Sequence, residues 1–180
     1  MANSNNPFGF QYLTMNKGFP PLTRVFDKLS TLATAIFQQD LCHRVAGVIA
    51  HPRGVVEPFG TGTPGTSIIL GVAMHYSAAS TAAPVHVMVD PAAEYVAQAT
   101  GTLGLLEADM GLNANMLANA GSTLTGFSKH VVNETGIATT SSLDMHLLRI
   151  FPDVLNAAGP YARVIVRLNK NREGIGTAGV

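Results

Sequence analysis

Hydrophobic positions in this chain alternate more often than they recur at helical spacing. The clearest case spans residues 159–169. Val164, Val166 and Leu168 fall on one face of an extended strand, and Arg163, Ile165 and Arg167 fall on the other. This is period-two patterning, with β-branched residues on both faces. Gly159-Pro160 punctuates its start, and a polar, glycine-rich tail from Asn169 closes it. A strand this late in the chain has to pair with segments made much earlier. Two arginines on one face suit either a partner-facing surface or a charged sheet edge that resists stray pairing.

The same alternation predicts strands over 43–50, 67–76, 85–90, 94–98, 127–133 and 143–151. They are separated by clusters such as His51-Pro52-Arg53-Gly54, Gly60 to Gly65, Ser77 to Pro84 and Thr135 to Ser142. One stretch reads differently. Between Asp27 and Asp40, Leu29, Leu32, Ala33, Ile36 and Phe37 follow helical spacing, and Asp27 suits an N-cap. Residues 100–125 read equally as a short helix or an ordered loop. Residues 1–24 read as an extended arm, kept out of helix by Pro7, Pro20 and Pro21. Its aromatics Phe8, Phe10 and Tyr12 alternate into a one-sided ribbon, and Phe19 follows. The predicted fold is all-β. It is a jelly roll or a small β-barrel or sandwich over 25–169, with an extended arm over 1–24, one short helix and a flexible tail over 170–180.

Composition changes what the surface of such a body must be. Hydrophobic residues make up 47% of the 180, charged residues only 12%, and the net charge is zero. The charged share is about half that of typical domains. Much of the surface is therefore small, polar-neutral or apolar, which favours coverage by partners or by further copies of the chain. Net neutrality argues against nucleic acid as a direct partner. No apolar run has transmembrane length, and no charged-then-apolar opening suggests a signal peptide. Cys42 is the single cysteine, so no disulfide framework or thiolate zinc site is expected, and it reads as a small buried hydrophobe.

Reactive constellations are hard to find. Gly60-Thr61-Gly62-Thr63-Pro64-Gly65 fits a dinucleotide-loop spacing, but a strand follows it and Pro64 stands where a helix would begin, so it reads as a turn. The histidines His43, His51, His75, His86, His130 and His146 lack paired metal-ligand spacing. A cupin-like site assembled from His75, His86, His130 and His146 remains as a third reading. The carboxylates Glu94, Glu107, Asp109, Glu134, Asp144 and Asp153 show no acid–base spacing. The expectation is a non-enzymatic protein with no catalytic residue, metal or cofactor.

Several pieces, in chain order, resemble the tailed-phage capsid decoration or cement proteins. They are Asn6-Pro7-Phe8-Gly9-Phe10, Ala35 to Asp40, Ile69-Leu70-Gly71-Val72, and Asp90-Pro91 followed by Glu94 to Gln98. Gly111 to Met116, Gly121 to Gly126, Leu147 to Ile150, Asn156 and Tyr161 to Asn169 complete the set. The chain departs from the family at its last motif, where Asn169-Lys170-Asn171 replaces the usual ending. The resemblance implies a virion structural protein, made in the host cytoplasm, that sits on the outer capsid surface. There it bridges neighbouring major capsid subunits against the pressure of packaged DNA and self-associates as a dimer or trimer. It implies no membrane partner. Phe8, Phe10, Tyr12 and Phe19 of the arm, with Arg163 and Arg167, are the expected capsid or neighbour contacts, since aromatics and arginine dominate interface energetics. The alternative is a glycan- or host-surface-binding β-sandwich displayed on a virion. The absence of tryptophan and the scarcity of carboxylates count against it.

Overall fold

Alternation becomes eleven strands in the computed structural model, which describes residues 3–15, 20–45, 53–60 and 69–169. They are β1 (Gln11–Met15), β2 (Thr23–Lys28), β3 (Leu41–Arg44), β4 (Val56–Pro58), β5 (Ile69–Ala73) and β6 (Ala83–Met88). Then come β7 (Ala93–Gln98), β8 (Asn113–Leu117), β9 (Val131–Ala138), β10 (Met145–Ile150) and β11 (Arg163–Leu168). The one helical element among the described residues is a 3-10 turn, Glu107–Asp109. The protein is thus all-β, built from two antiparallel sheets. One runs β1-β7-β11-β10-β8-β9 and the other β2-β6-β5-β3-β4.

The expected alternation of the last strand holds. Val164, Val166 and Leu168 enter the main core with Tyr95, Ala97, Met145 and Leu147 of their own sheet. Leu41, Ile69, Val72 and Met88 of the other sheet complete it. β11 is not an edge. It lies between β7 and β10, pairing Val166 with Tyr95 and Val164 with Ile150.

The five-stranded sheet has a second core on its other face, formed by Phe26, Cys42, Val56, Leu70, Val85 and Val87. Its two end strands approach each other. Asp27 bridges Val55, and the Asp27 N–H donates to the Gly54 carbonyl at 2.9 Å. The sheet therefore curls back on itself around this core, and Ile36 joins it. β5 is buried along its whole length because both faces are covered. Gly71 is what lets β5 and β6 approach: a Cβ there would collide with the Met88 carbonyl. Cys42 is fully buried in this second core, and burial pushes its thiol well above the usual range.

One expectation is corrected. Asp27–Asp40 is not a helix: its start belongs to β2, and the remainder turns and then bridges Ile36 to Ser77 and Gln38 to Phe127. Ser30, Thr31 and Thr34 weaken helix locally, and the second core needs Ile36 delivered from an extended segment. The described part of 1–24 is extended as expected, but it is joined to the body rather than set apart from it. Gln11–Met15 is a strand of the six-stranded sheet paired with β7, and β2 begins at Thr23. Phe10 is 0% exposed in the main core, with its N–H donating to the Gln39 carbonyl at 3.0 Å. Burying an aromatic of this size outweighs leaving it in water. The ambiguous 100–125 region holds the 3-10 turn and the strand β8. The tail 170–180 lies outside the described residues.

Candidate functional site

The N-terminal segment crosses the outer face of the six-stranded sheet before Phe10 dives into the core. Gln98, on the outer face of β7, holds it there. Its amide nitrogen donates to the carbonyls of Ser4 (2.7 Å) and Tyr161 (3.1 Å), and its oxygen accepts the Asn6 N–H at 3.0 Å. Asn3 reaches across to the loop between β10 and β11, donating to the carbonyls of Ala157 (2.9 Å) and Pro160 (2.8 Å). Asn156 knits that loop to itself through the carbonyls of Phe151 and Arg163, both at 2.8 Å. Between segment and loop runs a groove of about 450 Å³, lined by Phe8, Tyr12, Phe151, Asp153, Tyr161 and Arg163 among others.

Arg163 is the charged centre of this groove. Its Nη2 donates to Asp153 Oδ2 at 3.0 Å, and its guanidinium stands over the Phe151 ring at 5.6 Å, within cation–π range. The Leu155 N–H, donating to Asp153 Oδ1 at 3.0 Å, and then Arg163 hold the Asp153 carboxyl below the usual carboxylate range. Tyr161 takes a left-handed backbone, φ 57°, rare for an aromatic residue. Its ring lies where Gly101 carries no side chain; a Cβ there would collide with the ring.

Three of the six expected contact residues, Phe8, Tyr12 and Arg163, are thus brought together. The others are not. Phe10 is in the core, and Phe19 lies outside the described residues. Arg167 faces the same side as Arg163 further along β11, where its Nη2 donates to Glu94 Oε1 at 3.1 Å, and Arg149 approaches Glu94 Oε2 at 3.9 Å. Tyr12 packs edge-on against Tyr95 with 6.4 Å between ring centroids.

A second feature was hidden by alternation: large aliphatics stranded on loops. Leu124 is 94% exposed, Val154 93% and Leu103 70%, with Leu106, Leu155 and Phe127 also exposed. They form two groups. Leu103 and Leu106 lie in the loop tied to the β10–β11 loop, which carries Val154 and Leu155, by paired bonds between Leu105 and Gly159 (2.7 and 3.2 Å). Leu124 and Phe127 lie in the β8–β9 loop, where Gln38 and Phe127 bridge and Gly126 rests against Tyr76. The sequence did carry a cue, a lone leucine flanked by threonines inside Gly121 to Gly126.

The polar groups buried elsewhere serve the fold. Asp40 Oδ1 stands 3.4 Å from His130 Nε2, while its Oδ2 accepts the Phe37 N–H at 2.8 Å. His130 Nδ1 accepts the Leu41 N–H at 3.3 Å. Burial raises the Asp40 carboxyl to about 6 and lowers His130 to about 4. Ser128 Oγ accepts the His130 backbone N–H at 3.1 Å, not a bond from the imidazole, and all three residues are buried. The arrangement therefore lacks the nucleophile–base contact and the access of a hydrolytic triad. The histidines offered for a cupin-like site are dispersed: His146 bonds Asn113 Oδ1 at 2.8 Å, and His75 and His86 stack edge-on with 5.4 Å between ring centroids. Among the described residues no three His, Cys, Asp or Glu side chains gather as a metal-holding group. No protein-family model, curated protein or solved structure matches the chain.

Proposed function

We propose that the protein is a non-enzymatic virion component of a tailed phage. It binds the outer capsid surface, bridges neighbouring major capsid subunits and associates with copies of itself. The sequence resemblance supplies the class, and with it the jelly-roll reading of the body. The observation that carries the binding role is the pair of exposed apolar groups, one around Leu103 and Val154 and one around Leu124 and Phe127. A chain with 12% charged residues that presents large aliphatics on two separately braced loop sets is equipped for two footholds. Each adds buried apolar area at a seam, and the two act together through effective concentration.

The test is co-sedimentation with particles lacking the protein, read with the temperature at which those particles release DNA. Wild type is expected to saturate the particles and raise the release temperature. Leu124→Ser and Val154→Ser are each expected to weaken binding by ~10²-fold, because either change leaves a single foothold. Absence of saturable binding, or indifference to both changes, rules the role out.

A further inference from the structure

We infer that the groove between the N-terminal segment and the β10–β11 loop binds carbohydrate, in the form of a short neutral oligosaccharide. This goes beyond capsid binding and does not depend on it; it gives the glycan-binding alternative a defined place, with phenylalanine and tyrosine where tryptophan is absent. The volume of about 450 Å³ falls in the ~300–1,000 Å³ range of small-molecule sites. The walls are fixed before any ligand arrives. The amides of Gln98, Asn3 and Asn156 are spent on backbone groups of the facing walls, so little ordering remains for a ligand to bring about. Tyr161 is held in a strained backbone at the same place, φ 57°, and such strain concentrates at binding sites.

What the groove leaves accessible decides the ligand class. Phe8 and Tyr161 are half-buried aromatics on its lining, while Phe151 carries the Arg163 guanidinium over its ring and Tyr12 packs edge-on against Tyr95 at the rim; an aromatic face, negative at its centre, attracts the polarised C–H groups of a sugar ring. Arg163 and Asp153 stand side by side, linked by one Nη2–Oδ2 bond of 3.0 Å. A guanidinium has five N–H donors and a carboxylate about four acceptor sites, so the pair still offers a donor next to an acceptor. Adjacent sugar hydroxyls, each both donor and acceptor, fit that couple. The two charges cancel, which selects against strongly anionic or cationic ligands. The edge strand β1 borders the groove through Gln11, Tyr12 and Leu13, so an extended peptide held by sheet-edge backbone groups is the competing occupant that the parallel peptide probe tests.

The experiment screens the full chain on an array of neutral glucose, galactose, mannose and N-acetylglucosamine oligomers. Hits are quantified by calorimetry, and the aromatic NMR signals of Phe8, Phe151 and Tyr161 are followed during titration. At least one oligomer is expected to bind and shift those signals. Asp153→Asn and Phe8→Ala are each expected to weaken it about tenfold, the loss for one charged hydrogen bond or one stacked ring. A silent array overturns the inference. So does binding that leaves the three aromatic signals unmoved, or preferential binding of uncharged peptides used as a parallel probe. The NMR map keeps the test decisive where a substitution lowers stability. Co-sedimentation of the same two variants separates failure of the sugar site from failure of capsid binding.

Discussion

Glu134 is the sharpest place to test how the exposed loops are held. Its carboxylate, buried on β9, accepts three backbone N–H groups of the β7–β8 connection: Gly101 at 2.9 Å on Oε1, and Leu103 at 2.7 Å and Gly104 at 3.0 Å on Oε2. Bonds to an ionised acceptor contribute ~1.5–3 kcal/mol each in mutational series. Leu103 is exposed, however, and water replaces part of what is lost. At ~1 kcal/mol per bond, Glu134→Ala is expected to cost ~3 kcal/mol. That lowers the melting temperature by ~6–12 °C for a chain of this size. Glu134→Gln keeps an oxygen for Leu103 and Gly104 but sets an amide donor against the Gly101 N–H, so about half the loss is expected. Urea unfolding gives both numbers, and hydrogen exchange of the Leu103 and Gly104 amides locates them. A loss under ~1 kcal/mol for the alanine variant, or unchanged protection of those amides, refutes the reasoning that this one carboxylate braces the loop.

Three further outcomes are expected. Phe10→Ala should cost ~3–5 kcal/mol in urea unfolding, and deletion of 1–24 should destabilise the body rather than remove a detachable arm. Gly71→Ala should lower stability by more than ~3 kcal/mol in the same assay, because its methyl meets the backbone of β6 rather than a movable side chain. The Asp40–His130 pair sets a pH dependence with opposing parts. Burial raises the Asp40 pKa from 3.8 to about 6, so the folded chain binds that proton first and gains stability as pH falls through this window. Burial lowers His130 from 6.5 to about 4, so the unfolded chain binds its proton first and stability falls over nearly the same window. Asp40→Asn removes the compensating half. Its stability relative to wild type should decline by ~1.4 kcal/mol per pH unit between about pH 6 and 4. Parallel curves for the two proteins would refute that account.

How much of this was legible depended on whether a pattern was local. The faces of β11 could be read directly, because Val164, Val166 and Leu168 alternate with two arginines. Ile165 is nonetheless buried on the arginine face, and no single-strand pattern shows that. β8 was missed because Asn113 and Asn115 are poor strand formers, although Ala114 and Met116 alternate inward. The helical spacing of Leu29 to Phe37 was real but short, and bridges to Ser77 and Phe127 overrode it. Phe8, Tyr12 and Arg163 were picked out by residue type. Their meeting in one groove depends on Gln98 and Asn3, whose partners lie 92 and 154 residues away. Contacts of that range leave no trace in periodicity.

The central position of β11 has a consequence for biosynthesis. The ribosome delivers this strand after the other ten, yet it is the one that joins β7 to β10. Until it clears the exit tunnel, those two neighbours each keep an unpaired edge, and the six-stranded sheet exists only as two halves. Translation at ~5–20 residues per second leaves that interval open for seconds. The nascent chain is then vulnerable to edge-to-edge association, and to holdase chaperones that compete for it. The body is in this sense closed late in synthesis, by the insertion of one strand between two formed neighbours.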